Sequence, residues 1–260
     1  MFFFELPSGL PEATLYAVAA AAAFAAVVHG AIGFGFPLIS TPLVALITDV
    51  RTAVITTLVP NLVLNLISIV RGAEAGATLR RYWPVAAYVL LGSVVGTRVL
   101  ALADGRTLKL LLAAMIVVYL LASQKAGVDW TVLQRFPRLA PLVFGSLGGF
   151  FSGAVNVAVP PLLIYFSALR LPPVIMTQAL NLSFFVGRST QAVSLFSSGQ
   201  LGGPLFLVSA PLTLVSVVAL AAGHRLQPRI HPTMFVRLVR TILWVMAATL
   251  GGQVVLGYLR

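Results

Sequence analysis

The sequence predicts an all-α integral membrane protein made of two inverted repeats, each a Gly/Pro-broken helix followed by three transmembrane helices. Three observations carry that expectation. Of the 260 residues, 59% are hydrophobic and only 9% are charged, and the mean hydropathy is strongly positive, a balance far from that of a soluble domain. Apolar runs long enough to cross a bilayer recur along the whole chain. A nine-residue pattern in the first half also returns in the second.

In chain order, the first element is a broken region over 12–48. Its apolar run is interrupted by "HGAIGFGFPLISTPL", His29 to Leu43. Full-length spans follow at 52–71, 84–103 and 107–123. A polar, basic stretch over 124–138 links the halves. The second broken region covers 139–169 and is interrupted by "GGFFSGAVNVAVPP". Spans at 173–198, 203–222 and 234–257 complete the chain. The organisation is therefore a first membrane repeat over 1–123, a cytoplasmic linker over 124–138 and a second repeat over 139–260. Each broken region is either a re-entrant pair of half-helices or two short spans. The N-terminal "MFFFELPSGLPEA" carries Glu5 and Glu12 and no basic n-region, unlike a cleaved signal peptide.

The loops set the orientation, because cytoplasmic loops carry an excess of Lys and Arg. Arg71, Arg80 and Arg81 share one loop, Lys125, Arg135 and Arg138 a second, and Arg225, Arg229, Arg237 and Arg240 a third. With Arg170, these are eleven of the 17 basic residues. Placing all of them inside requires each broken region to enter and leave on one face. Both termini then lie outside, in the periplasm if the membrane is a bacterial inner membrane.

"VITTLVPNL" (Val54 to Leu62) and "VIMTQALNL" (Val174 to Leu182) share Val, Ile, Thr, Asn and Leu in register. At the same offset Gly33 faces Gly153, and Pro42 faces Pro161 after a one-residue slip. The charge bias starts the first of these spans outside and the second inside, so the halves are of inverted topology. Inverted repeats with interrupted helices are the architecture of many secondary transporters, with the substrate site near the midplane.

The chemistry follows from the breaks. A helix N-terminus presents unpaired N–H groups and the positive end of the macrodipole, and so attracts anions. Here the second half-helices start at Pro37 and Pro160, after Gly33 and Gly35 in one break and Gly153 and Asn156 in the other. Asn61 and Asn181 occupy equivalent repeat positions near Thr57 and Thr177, with Gln178 alongside. Their amides and hydroxyls either donate to an oxyanion or bond neighbouring helices. Arg188 lies deep in a span, where a charge requires a partner or a water-filled cavity. All six carboxylates, Glu5, Glu12, Asp49, Glu74, Asp104 and Asp129, fall at ends or in loops, so an anionic substrate is a candidate counter-ion. His29 is the candidate for proton coupling, with a structural hydrogen bond as the alternative.

Other classes fare worse. The net charge of +11 is spread over loops rather than gathered on one helix face, which argues against nucleic acid. The absence of cysteine removes thiolate metal sites and thiol chemistry. His29, His224 and His231 form no ligand cluster, because the latter two belong to the basic loop. No cofactor, metal or catalytic group is implied.

The two breaks, with the following spans "RTAVITTLVPNL" and "PPVIMTQALNL", resemble the TauE/SafE sulfite-exporter-like permeases over essentially the whole chain. The family's Gly-rich breaks leading into proline-containing helices match Gly30, Gly33, Gly35 and Pro42, then Gly149, Gly153, Pro160 and Pro161. Asn156 and Ala158 stand where a more glycine-rich run is usual. The resemblance implies a secondary transporter that exports small sulfur-containing anions such as sulfite, sulfoacetate or related sulfonates, without ATP. An anion-selective channel is the alternative. Oligomeric state is left open.

Overall fold

A computed structural model describes residues 11–72, 75–124, 130–200, 204–229 and 232–258. Glu5, Glu74, Lys125, Asp129 and His231 lie outside the described residues. Among the described residues the chain is helical throughout: α1 Glu12–Ile32, α2 Phe36–Ile47, α3 Val50–Thr56, α4 Leu58–Arg71, α5 Ala75–Leu102, α6 Gly105–Gln124, α7 Leu139–Val155, α8 Val159–Ala168, α9 Pro173–Ser197, α10 Pro204–Leu226 and α11 Pro232–Tyr258, with short 3₁₀ turns before α7 and after α10. Five helices are long and apolar enough to cross a membrane, and six if the bent pair α3–α4 is one span. The protein is an all-α integral membrane protein.

Side-chain size sets which helices run together. A methyl group on Gly153 would fall on the backbone of Ser93 and Thr97, and one on Gly149 on that of Val89, so α7 lies against α5 and advances in the same direction. Gly30 meets Leu220 and Gly223 in the same manner, so α1 runs with α10. Small residues are what allow backbones this close in a bilayer, where lipid is as apolar as leucine. Arg51 donates to the carbonyls of Leu100, Ala101 and Ala103, which places the start of α3 beside the end of α5. Arg240 reaches the Ser123 carbonyl and Lys109 reaches Gln253, so α6 and α11 run antiparallel. The apolar core is continuous across both halves.

These contacts sort the loops onto two ends. Arg71, Pro173 and His224 line one cavity, and Arg81, Gln134 and Leu171 line another; the basic connections thus gather at one end of the bundle. Residues 98–103 and 194–200 meet at the other. Both broken regions enter and leave at a single end: α1–α2 at the end opposite the basic loops, α7–α8 at the basic end.

Three details differ from the sequence expectation. The span at 52–71 is bent by 48° at Thr57. Pro60 has no N–H for the Thr56 carbonyl four residues back and its ring crowds it; the Ser209 hydroxyl of α10 donates to that carbonyl instead, at 3.1 Å. Arg80, Arg81, Arg237 and Arg240 lie inside α5 and α11, not in loops, because those helices extend beyond their apolar runs. His224 likewise belongs to the last turn of α10.

Candidate functional site

The first break is built by glycine. Gly33 and Gly35 hold φ of 94° and 104°, in the left-handed region that costs an L side chain about 1–2 kcal/mol. Gly33 closes α1 by donating its N–H to the His29 carbonyl at 2.7 Å. The chain then turns into α2, with Pro37 in its first turn. His29 is fully buried between the two half-helices. Its Nδ1 accepts from the Phe36 N–H at 3.3 Å, and its Nε2 lies 2.9 Å from Ser68 Oγ. Accepting at Nδ1 leaves the ring proton on Nε2, aimed at Ser68. The Leu38 N–H donates to the Gly35 carbonyl at 3.1 Å. The first amides of α2 are therefore held by the protein, and what α2 offers a ligand is its dipole.

The second break falls three residues later than the glycine match suggested. α7 runs straight through Gly153 and ends at Val155; Asn156 takes the left-handed position, with φ of 62°. The left-handed residue of this break is thus Asn156, whereas Gly153 serves packing against α5. Asparagine is the residue after glycine that best tolerates this conformation. Its side chain is also committed: Nδ2 donates to Thr41 Oγ1 at 2.8 Å and Thr57 Oγ1 at 3.2 Å, while Oδ1 accepts from Asn61 Nδ2 at 2.9 Å. Asn65 Nδ2 donates in turn to Asn61 Oδ1 at 2.7 Å. All five residues are buried.

Arg188 completes this break. It is 1% exposed, and it donates to the Ser152 carbonyl in the last turn of α7 and to Gln191 Oε1. Gln191 Nε2 donates to the Gly153 carbonyl at 2.6 Å. A cation beside the carbonyl end of a helix is favourable with its dipole. Neither partner is a carboxylate, so the guanidinium keeps its net charge inside the bundle.

Asn61 and Asn181 each bond one of the breaks. Asn61 of α4 bonds Asn156 in the second break, and Asn181 of α9 donates to the Gly33 carbonyl of the first at 2.8 Å and to Thr177 O at 3.0 Å. Each span therefore ties down the break of the other half.

A cavity of about 410 Å³ opens beside the first break at the basic end. Gly33, Thr177, Gln178 and Asn181 line it, joined by Ser68, Arg71 and His224, which sequence reasoning left out of the site. A second cavity of about 300 Å³, lined by Thr97, Arg98, Ser194, Ser198 and Gln200, lies at the opposite end of α9. Asn181 and Ser194 are thirteen positions apart on that helix, on the order of 20 Å. Between them the buried face of α9 carries Ser183, Arg188 and Gln191. Another cavity, about 500 Å³ around Tyr82, Leu133 and Tyr165, touches neither break and is not the candidate site.

A helical membrane bundle with two opposed broken hairpins, a buried cation and polar cavities at both ends of one helix has the build of a solute permease. The chain belongs to the sulfite exporter TauE/SafE family, whose model matches residues 18–250. Membership makes it a membrane permease of sulfite-like anions. No curated protein matches it. No solved structure matches it either.

Proposed function

We propose that this chain is a secondary transporter that exports small sulfur-containing organic or inorganic anions by alternating access, its two halves acting as inverted repeats. The observation that carries the reading is the cavity beside Gly33, which joins a helix break, the N-terminus of α9 at Pro173, Arg71 and His224 in one water-accessible recess. An anion there meets positive potential from a side chain and from a helix terminus together. The onward route follows the polar face of α9 past Arg188, whose charge draws the anion through the apolar interior and toward the cavity at Arg98.

Gly33, Thr177, Gln178 and Asn181 are proposed as cargo contacts. The second break, with Gly153, Asn156, Asn61 and Thr57, forms the barrier that opens in the alternate state. Under the positive-inside rule the basic end is cytoplasmic, which places the cavity on the side from which export starts and both termini in the periplasm of a bacterial inner membrane. A monoanion leaving a cell that is negative inside gains about 2.3 kcal/mol per 100 mV, so export needs no ATP and no coupling ion.

The test is efflux from proteoliposomes loaded with radiolabelled sulfite or a sulfonate, at controlled membrane potential. Accelerated exchange with unlabelled anion on the opposite side supports a carrier. A conductance that does not saturate would replace the carrier with an anion channel. No flux of any anion would overturn the reading.

A further inference from the structure

The cavity beside Gly33 is lined by two kinds of polar group. Arg71 supplies donors and positive charge and His224 an imidazole ring; both come from the basic end of the bundle. Gln178 and Asn181 also line the cavity and are 5% and 0% exposed. Their amide orientations are fixed by their partners. Asn181 Nδ2 donates to two backbone carbonyls, Gly33 O and Thr177 O. Gln178 Nε2 donates to the Ser68 carbonyl at 3.3 Å, with its amide seated over Gly72, where any side chain would collide with it. A carbonyl accepts and cannot donate, so neither amide can be flipped. Asn181 Oδ1 and Gln178 Oε1 are left buried with no donor from the protein. Buried polar atoms are nearly always partnered, and these two belong to residues that line the cavity.

We infer that the site takes small sulfur oxyanion compounds that also carry a hydrogen-bond donor. The sulfonate or sulfite oxygens lie toward Arg71 and His224, and a hydroxyl or ammonium donates to Asn181 Oδ1 and Gln178 Oε1. An anion with no donor leaves both oxygens unpaired. A carboxylate in that place, as in sulfoacetate, brings like partial charges together there. This inference rests on the proposed anion cavity and narrows its substrate class: within the sulfonates, it favours hydroxy- and aminoalkane forms over sulfoacetate.

The test is calorimetric titration of the purified full-length protein in detergent with ethanesulfonate, 2-hydroxyethanesulfonate, 2-aminoethanesulfonate and sulfoacetate, repeated on Arg71→Gln and Gln178→Met. The hydroxy and amino compounds should bind about tenfold more tightly than ethanesulfonate, the factor expected from satisfying a buried acceptor, and sulfoacetate more weakly than either. In Gln178→Met the hydroxyl advantage should shrink while ethanesulfonate affinity holds. Arg71→Gln should weaken all four. Equal affinity of ethanesulfonate and 2-hydroxyethanesulfonate in the unmodified protein, or tighter binding of sulfoacetate, would overturn the inference and leave the anion cavity standing. Binding of none of the four, or binding indifferent to Arg71→Gln, would overturn the cavity itself. The ligand series on the unmodified protein decides the matter even if Gln178→Met does not fold.

Discussion

Asn156 combines a backbone task and a side-chain task, and two substitutions separate them. Asn156→Gly keeps easy access to the left-handed conformation and deletes the side-chain bonds to Thr41, Thr57 and Asn61. Interhelical hydrogen bonds in membranes average about 0.6 kcal/mol, so three of them come to about 2 kcal/mol. Asn156→Ala deletes the same bonds and also forces an alanine to φ of 62°, which adds about 1–2 kcal/mol. The order of melting temperatures in detergent should therefore be Asn156, then Gly, then Ala. Following monodisperse protein by size-exclusion after heating gives that order directly. If Ala and Gly melt together, the left-handed position is not a constraint. If both melt with the unmodified protein, the Thr41–Asn156–Asn61 chain does not hold the break.

Arg188→Lys should retain more transport than Arg188→Gln in liposome efflux, since charge is what the transit role requires; equal losses would assign Arg188 to capping α7 alone. His29→Gln should fold and transport with an unchanged pH profile, whereas His29→Phe, which leaves the Phe36 N–H and Ser68 unpartnered, should lower the melting temperature; a pH dependence of efflux that vanishes in His29→Gln would instead establish proton exchange at this residue. Gly153→Leu drives a side chain into the Ser93 and Thr97 backbone and should destabilise the bundle by about 1–3 kcal/mol or more, measured by thermal melting. Asp104 starts α6 by accepting from Thr107, whose hydroxyl holds the carboxyl below its ordinary value. A depressed folded value confers stability above the unfolded pKa that is lost as pH falls through the folded one. Asp104→Asn should thus cost a little stability at neutral pH and nothing at strongly acid pH.

The first break was legible because glycine at Gly33 and Gly35 marks the conformation it adopts. The second was legible only to within a turn. Gly153 reads as the break because glycine is the usual left-handed residue, yet here it answers to the neighbouring helix. Asn156 holds the turn, which is intelligible only once its three long-range partners are known. The bend at Thr57 had a signal in Pro60, but a proline within an apolar run does not say whether a neighbour will take over the freed carbonyl. Register singled out Asn61 and Asn181, but not that each would bond the break of the other half. Arg188 stood out as an unmatched charge, but a backbone carbonyl as its partner leaves no trace in the sequence. Ser68, Arg71 and His224 join the cavity through folding alone, arriving from two separate chain segments, α4 and α10.

The glycine seams have a mechanical corollary. Because α1 is seated on α10 and α7 on α5, each hairpin's nearest neighbour belongs to the opposite half of the chain. The rigid pieces in any rocking motion are consequently these exchanged pairs, and the two sequence halves cannot swing as blocks. Cutting the chain between α6 and α7 would leave each fragment's hairpin without its bed, so a functional protein should be recovered only when both fragments are made together in the same membrane.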